Sequence, residues 1–569
     1  MKKLKKVKSI GIILLGISVL FLSSCSSSPE NLKVIPEETN VVSVIDIYSI
    51  IKKGKLYEIG ELKFFKTFKK EIRNENKKIS KIIDNVIEDP TISGINFKTD
   101  IFAYYVNEAN DEQFISFSAE IKNKERFAEF IEDVLDKLDI EFDIEKEKNY
   151  SYTLIGNEAV IGWDKNKAIL LIAENYSSRK NLDLEITTLI ELKEKNQITA
   201  NDEFNRFYKN KKDISVWIST NLFEDNYVFK EIEKEIDFDI TDNYISSYLN
   251  FEDDNISLLT QFTPNSEIQK IMEGNDVWDN SFNNQLLKFF PKKSYATASI
   301  SLNPMSYYNI IEQKDGFEKI QSEFEKEMEF NLKDLFKSVK GNTVFSLFGF
   351  DDIEYTYMGY ERIYNEKKYR RYNSWTGEYY YEGGYEYQDI EKTENELLPI
   401  MGLAIDINGN KIIKELIEKI PEDEINKRSN YYEFKFGNRY PAYFAFNDKV
   451  FIITNDKKSI KAFKDGGYSS DNLSNSNISS DISNSNFYTF LNLNYDEYPK
   501  DIKKEIKNNQ NDKEEKMFKI WNSFAKSIEL KQVDKNSVEI IFNIKDNESN
   551  SLNTIITTID DNYKYFMSL

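Results

Sequence analysis

Histidine and cysteine, which many enzymes use for acid–base and nucleophilic chemistry, are almost absent from this 569-residue chain. It has no histidine and one cysteine, Cys25. Catalytic triads, Cys–His pairs, HExxH zinc sites and histidine general bases are therefore excluded. Glycine is scarce, at 20 residues, and the sequence contains neither a Walker phosphate loop nor a dinucleotide-binding glycine motif. The sequence thus predicts no cofactor and no metal, and leaves an acid pair or a Ser-Lys dyad open.

The 97 Asp and Glu residues could supply a general acid and a general base, but such abundance makes any single pair uninformative. Asp253-Asp254 and Asp406, in Asp-Ile-Asn-Gly-Asn, are equally typical of turns and helix caps. The Asp406 string also lacks the closing Glu of a calcium-binding EF-hand loop. We therefore expect a non-enzymatic protein, with a carboxylate-dependent hydrolase acting on glycan or cell-wall substrate as the alternative.

Cys25 is placed for a different chemistry, the acylation of a thiol. It ends Leu22-Ser23-Ser24-Cys25, behind five lysines and a mostly apolar run from Ile10 to Leu22. That run is shorter than the roughly 20 apolar residues that cross a bilayer, so residues 1–24 are predicted to be a signal peptide. The thiol resembles the lipobox cysteine of bacterial lipoproteins. We expect acylated Cys25 to anchor the protein in a lipid bilayer, with residues 25–33 as a short tether.

The residue after the cysteine and the net charge extend this prediction. Ser26 rather than Asp follows Cys25, which by resemblance to Gram-negative lipoproteins favours the outer membrane. The protein is then exported and lies on the periplasmic side or the cell surface. Without the five leader lysines, 71 of the 76 basic residues remain against 97 acidic ones, a net charge of about −26. So acidic a chain is repelled by phosphate backbones, which argues against nucleic acid as a partner.

The second half of the chain repeats the first in four segments that keep their order. The pairs are 35–46 with 290–301, 118–123 with 404–408, 156–171 with 437–453, and 256–262 with 538–544. Alternating apolar residues mark most of them as strands with one buried face. The repeat predicts an α+β fold of two tandem, sequence-related modules, 34–278 and 279–569, each an antiparallel sheet with helices packed on it. Strands of one module could also complete the sheet of the other.

Each copy continues from its second segment into an apolar stripe with helical spacing. The stripes are Phe127, Phe130, Ile131, Val134, Leu135 and Leu138 in the first copy, and Ile413, Leu416, Ile417 and Ile420 in the second. Asn123 and Asn410 precede them and are predicted N-caps. Gly156-Asn157 and Gly437-Asn438 predict tight hairpin turns, because both residue types tolerate a positive φ.

The copies differ chiefly by a tyrosine-rich insertion at about 352–392 in the second. Eleven tyrosines lie between Phe350 and Leu397. Tyrosine offers a stacking face and a hydroxyl at little cost in conformational entropy, as binding surfaces require. The simpler interpretation is an elongated hairpin whose cross-strand tyrosine pairs stabilise each other. The candidate binding residues are Tyr364, Tyr369, Tyr372, Trp375, Tyr379, Tyr380 and Tyr381.

A second unusual stretch, 469–486, is almost wholly Ser, Asn and Asp, with isolated Leu473, Ile478 and Ile482. Such a composition is typical of a mobile loop or linker. We therefore predict a Ser/Asn-rich loop at 469–486 within the second module.

The opening of the mature chain resembles a known family. Lys33-Val34-Ile35-Pro36 leads to a strand at 41–46, and Ser93-Gly94-Ile95-Asn96 leads to another at 101–106. These segments resemble the domain-of-unknown-function 4836 family of bacterial lipoproteins, and the likeness spans most of the chain. The resemblance implies an exported, membrane-anchored protein and brings no catalytic residue with it. We expect a binding or scaffolding role toward an envelope protein, peptide or glycan.

Overall fold

The computed structural model describes residues 29–108, 112–175, 177–224, 227, 229–231, 239–274, 276–279, 281–314, 316–436, 440–508, 510–546 and 548–568. The predicted signal peptide, Cys25 and the Gly437-Asn438 turn lie outside the described residues. The chain divides into two compact units. The first runs to Asp276 and also takes in Lys516–Leu569, and the second is Val277–Glu515. Both are α+β, with helices beside antiparallel strands.

The strands include those predicted from alternating apolar residues, such as 41–46, 256–262 and 538–544, and several that were not predicted. They are β1 (Val41–Ile45), β2 (Ile101–Glu108), β3 (Glu112–Glu120), β4 (Ile144–Lys146), β5 (Ser151–Ile155), β6 (Ala159–Trp163), β7 (Lys167–Ala173), β8 (Ile214–Ser219), β9 (Tyr244–Phe251), β10 (Asn255–Thr263), β11 (Ala296–Ser301), β12 (Val339–Asn373), β13 (Glu378–Ile407), β14 (Ile425–Lys427), β15 (Tyr432–Phe436), β16 (Tyr440–Phe446), β17 (Val450–Thr454), β18 (Phe487–Asn492), β19 (Ala525–Asp534) and β20 (Ser537–Ile544).

In the described residues up to Asp276 the helices are α1 (Ile47–Gly54), α2 (Lys63–Glu75), α3 (Lys77–Glu88), α4 (Lys124–Lys137), α5 (Leu182–Ile190), α6 (Asp202–Lys209) and α7 (Ser266–Gly274). Those that follow are α8 (Pro304–Glu312), α9 (Phe317–Met328), α10 (Leu332–Ser338), α11 (Lys411–Glu418), α12 (Lys457–Lys464), α13 (Ser479–Asn484), α14 (Lys500–Asn508), α15 (Asp512–Phe524), α16 (Ser551–Asp561) and α17 (Tyr563–Phe566).

Strand pairing is antiparallel throughout the ladders of both units. In the first unit the order is β4-β5-β6-β7-β3-β2-β1-β8-β9-β10-β20-β19. In the second it is β14-β15-β16-β17-β13-β12-β11-β18. The second order reproduces the first eight places of the first, with β14 in the place of β4, β13 of β3, β11 of β1 and β18 of β8.

The division of the chain differs from the predicted modules at the C-terminus. The break after Asp276 lies close to the predicted one, but the segment from Lys516 onward belongs to the first unit rather than to a module 279–569. There β20 pairs with β10, its counterpart in the sequence repeat, and Leu258 faces the aligned residue Ile540. The sequence does not predict this pairing, because the alternating apolar residues of β20 are compatible with the edge strand of either sheet.

Helices cover the sheet of the first unit on both faces. One buried cluster joins α3 and α4 to the sheet, and another joins α5 and α6 to the opposite face. All residues of β6, Ala159–Trp163, are buried, as expected for a strand with apolar contacts on both sides. The predicted stripe of α4 is confirmed, since each of its members is at most 8% exposed. Asn123 caps this helix, with its Oδ1 accepting from the Arg126 N–H at 2.8 Å.

Two predictions for the second unit differ from the structure. Asn410 heads α11, but its side chain donates to Asp448 Oδ1 at 2.7 Å and makes no cap bond. Segment 469–486 is not a plain loop, because it contains α13 and buries Leu473 and Ile482 completely in the core. Its few apolar residues carry the packing, while Ser and Asn bond the neighbouring backbone, as Ser476 Oγ does to Leu473 O at 2.7 Å.

Candidate functional site

The tyrosine-rich insertion, residues 352–392, forms the outer part of the β12–β13 hairpin, and we call it the tyrosine ribbon. The two strands remain paired from Val339↔Ile407 to Asn373↔Glu378. Trp375 lies in the turn, where its N–H donates to Asn373 Oδ1 at 2.9 Å. The ribbon is therefore an elongated hairpin, and its function depends on which side chains lie on each of its two faces.

The ladder register separates the ribbon side chains into two faces. Directly opposed residues share a face and successive residues alternate, so Tyr364↔Tyr385 and Tyr372↔Tyr379 mark the same side. The irregularity between Asn365 and Tyr369 leaves this alternation unchanged. The tyrosine face carries Tyr360, Arg362, Tyr364, Arg370, Tyr372, Tyr379, Tyr381, Tyr385 and Tyr387, together with Asp389 opposite Tyr360 and Glu391 opposite Met358. The opposite, acidic face carries Tyr355, Tyr357, Glu361, Tyr369, Arg371, Glu378, Tyr380, Glu382 and Glu386.

Neighbouring rings and guanidinium groups support one another on the tyrosine face. The ring centres of Tyr364 and Tyr385 are 5.2 Å apart, and those of Tyr372 and Tyr379 are 5.0 Å apart. Arg362 Cζ lies 3.6 Å from the centre of the Tyr385 ring, and Arg370 Cζ lies 4.0 Å from that of Tyr379. Such cation–π contacts limit side-chain freedom before any partner arrives.

The candidate residues named from the sequence are not all together. Tyr364, Tyr372, Tyr379 and Tyr381 share the tyrosine face, Tyr369 and Tyr380 lie on the acidic face, and Trp375 is 98% exposed in the turn. Sequence reasoning missed the tyrosine-face residues Tyr360, Arg362, Arg370, Tyr385 and Tyr387. The signal for Tyr385 and Tyr387 was their even spacing from Tyr379 and Tyr381 in β13, which places all four on one face once the turn at Asn373 is known.

Carboxylates that could serve a hydrolase cluster near one end of β1, β2 and β8. Asp100 Oδ1 accepts from Lys211 Nζ at 2.8 Å, and Asp100 Oδ2 accepts from the Tyr208 hydroxyl at 2.5 Å. Lys211 Nζ also lies 3.4 Å from Asp46 Oδ2. Asp213 accepts from Lys53 Nζ at 2.6 Å and from the Phe251 N–H at 2.7 Å. Lysine ammonium groups and hydrogen-bond donors of the same unit therefore already pair with these carboxylates.

Burial shifts the protonation equilibria of this cluster. It raises the pKa of Asp100, and the nearby Lys211 ammonium and Tyr208 hydroxyl offset that shift only in part. Burial lowers the pKa of Lys211, but Asp100 and Asp46 together outweigh it, and the net shift is upward. Burial and Asp100 also raise the pKa of Tyr208. The arrangement resembles a structural ion pair more than a poised acid and base.

The other candidate catalytic residues named from the sequence lie at ordinary structural positions. Asp253 and Asp254 lie in the turn between β9 and β10. Asp406 lies near the end of β13, where its Oδ2 accepts from Asn283 Nδ2 at 2.9 Å. Within the described ranges, no group of three or more His, Cys, Asp or Glu residues is arranged to hold a metal ion. No helix in the described part of the chain is both long and apolar enough to span a membrane.

Each unit contains a cavity between the sheet and the helix that follows β3 or β13. Under α4 of the first unit it measures about 170 Å³. Under α11 of the second unit it measures about 460 Å³, and we call it the α11 cavity. The lining residues of the α11 cavity are Leu335, Ser338, Val339, Ile405, Ile407, Ile412, Ile413, Leu416, Ile417, Ile420, Phe434, Ala442, Phe444, Phe451 and Ile453.

The larger cavity follows from how each helix covers the sheet. Helix α4 spans 14 residues and its whole stripe is buried, whereas α11 spans 8 residues and only Ile412 is buried. The space of about 460 Å³ is therefore partly open to solvent along α11, where Leu416 and Ile417 are only half-buried. The volume also falls within the range of known ligand sites.

Comparison with known proteins gives one family and one remote structure. The family model described as "Domain of unknown function (DUF4836)" matches residues 31–552. No curated protein matches the chain. The solved structure described as "Structure of crystal form I of TP0453" is similar at 11% identity, over 44% of this chain and 87% of that chain, with a TM-score of 0.24. At that score the likeness carries no argument about fold or function.

Proposed function

The chain belongs to the DUF4836 family of unknown function, and on that premise we propose that it is a membrane-anchored envelope lipoprotein that binds a protein partner through its tyrosine face. The observation that carries this proposal is the enrichment of tyrosine on one exposed side of the ribbon, which holds seven of its eleven tyrosines together with Arg362 and Arg370. Tyr387 and Tyr360 are 72% and 69% exposed there. Tyrosine, tryptophan and arginine are the residues most enriched at the energetic centres of protein interfaces.

Rigidity is the second argument for binding. The tyrosine rings are held by one another and by Arg362 and Arg370, so little conformational freedom is lost when a partner covers them. Tyr364 also lies across Gly383, where an added Cβ would come within 2.0 Å of its hydroxyl oxygen. By contrast, the carboxylates near Asp100 are already paired within the fold. Binding is therefore better supported than hydrolysis.

The proposal is tested by capture from the native envelope with face-specific variants. We expect Tyr360→Ser/Tyr381→Ser/Tyr387→Ser to retain less than about a tenth of the partner, because interface-centre aromatic residues contribute about 2 kcal/mol or more each. The matched control is Tyr369→Ser/Tyr380→Ser on the acidic face of the same ribbon, which should retain it. The measurement is quantitative mass spectrometry of captured proteins after crosslinking.

Three results would contradict this assignment. Equal loss in both variants would indicate that the ribbon had lost its shape, and equal retention would remove the tyrosine face from binding. Capture of glycan in place of a protein, abolished by the same variant, would identify a different class of partner.

The anchor is proposed from Cys25, with the outer membrane as the favoured location. Cys25→Ser is expected to move nearly all of the protein from the membrane fraction to the soluble fraction, because several acyl chains anchor a protein stably and none would then be attached. Immunoblots of the two fractions measure this. A Cys25→Ser protein that stayed with membranes after a high-salt wash would contradict the proposed anchor.

The organisation into two related modules is proposed on two grounds. Four sequence segments recur in order, and the strand order of the second unit reproduces eight places of the first. The pairing of Leu258 with its aligned residue Ile540 suits a duplicated chain whose last hairpin joins the first sheet.

A further inference from the structure

The α11 cavity has walls of a single chemical character. Its lining is aliphatic or aromatic except for Ser338, and the Ser338 hydroxyl is already used, donating to Leu335 O at 2.7 Å. The Ser338 hydrogen is thus already engaged, and no other lining side chain can hydrogen-bond a polar ligand. The matching ligand is one that has no polar groups along the part that enters.

The first unit provides an internal comparison. Under α4 the equivalent space is largely filled, because Phe127 and Ile131 are 3% and 1% exposed. Under α11 the corresponding stripe, which includes Leu416 and Ile417, is only half-buried and surrounds about 460 Å³ of space. The second unit thus keeps an apolar helix face and leaves a larger volume open beneath it than the first unit does.

From this lining and volume we infer that the α11 cavity is a binding site for a hydrocarbon chain of a fatty acid or lipid. An aliphatic chain gains free energy with each methylene buried and needs no partner for hydrogen bonds along its length. A sugar would leave its hydroxyl groups unpaired against these walls. The site is separate from the tyrosine face and does not depend on the protein partner proposed above.

The test uses the mature chain, residues 25–569, carrying Cys25→Ser so that its own acyl chains cannot occupy the cavity. After delipidation, the fluorescent fatty acid cis-parinaric acid is titrated into the protein and displaced with saturated acids of increasing length. We expect the affinity to rise about fourfold per added methylene until the cavity is full. Displacement by lysophospholipid as well as by palmitate would indicate a lipid tail, and by palmitate alone a free fatty acid.

The variant Leu416→Trp fills the cavity and should weaken binding at least about tenfold. The matched control is Lys414→Trp, which adds the same ring to the exposed side of α11 and should bind as the parent does. Because Leu416→Trp could disturb folding, its melting temperature is measured too: palmitate should raise that of the parent and leave that of the variant unchanged.

A second apolar cavity, of about 360 Å³ and lined by Trp521, Phe542 and Ile555, provides the competing location. Loss of binding in Ile555→Trp with full binding in Leu416→Trp would overturn the assignment. So would chain-length-independent displacement, or a folded parent protein that binds no fatty acid.

Discussion

Replacement of Gly341 by alanine is expected to lower the free energy of unfolding of the second unit by about 3 kcal/mol or more. Gly341 has φ +93° and lies at the irregularity that begins β12. A Cβ there would be 1.8 Å from Leu302 O and 2.8 Å from Leu302 C. Because these are backbone atoms, neither can move without disturbing β11, which ends at Ser301.

The control for Gly341 is Gly377 in the turn of the tyrosine ribbon. Its φ is +74°, but an added Cβ would meet nothing within 4 Å. Gly377→Ala should therefore cost only the left-handed backbone penalty of about 1 kcal/mol. Urea unfolding and amide exchange of the β11–β12 ladder measure the difference. Similar losses in the two variants would show that the contact with Leu302 is unimportant.

Replacement of Lys211 by methionine is expected to cost the first unit about 3 kcal/mol at pH 7, because it removes the cation from between Asp100 and Asp46. The side chain of Asp100 is only 7% exposed, so water cannot replace the lost ammonium. The same substitution at Lys137, which pairs with Asp133 on the surface of α4, should cost less than about 1 kcal/mol. Fluorescence of the buried Trp163 and Trp217 during urea unfolding reports both values.

The loss of stability caused by Lys211→Met should be smaller at acid pH than at pH 7. Burial raises the pKa of Asp100 above its ordinary value, so the folded state holds this proton more tightly than the unfolded state. The contribution of Asp100 to stability therefore falls as the pH rises from about 3.9 through the raised pKa. Without the Lys211 ammonium that pKa rises further, and the deficit is greatest at neutral pH. An equal deficit at pH 4.5 and pH 7 would contradict this account.

Elements with a strong local pattern were predictable. The stripe of α4, the Asn123 cap and the turn at Gly156, whose φ is +59°, depend on residues a few positions apart. The prediction of a loop at 469–486 was wrong, because it was based on local composition alone. Leu473 and Ile482 become core residues only when strands distant in sequence surround them.

The sequence by itself determined the α+β class, the family and the hairpin at the insertion, since alternation, helical spacing and turn residues act over short distances. Only the tertiary structure decided which tyrosines share a face, that β20 joins β10, and that the α11 cavity is larger than its counterpart under α4. Those outcomes depend on strand register and on how completely a helix covers a sheet. Both are set by contacts between residues far apart in the chain, which no local pattern encodes.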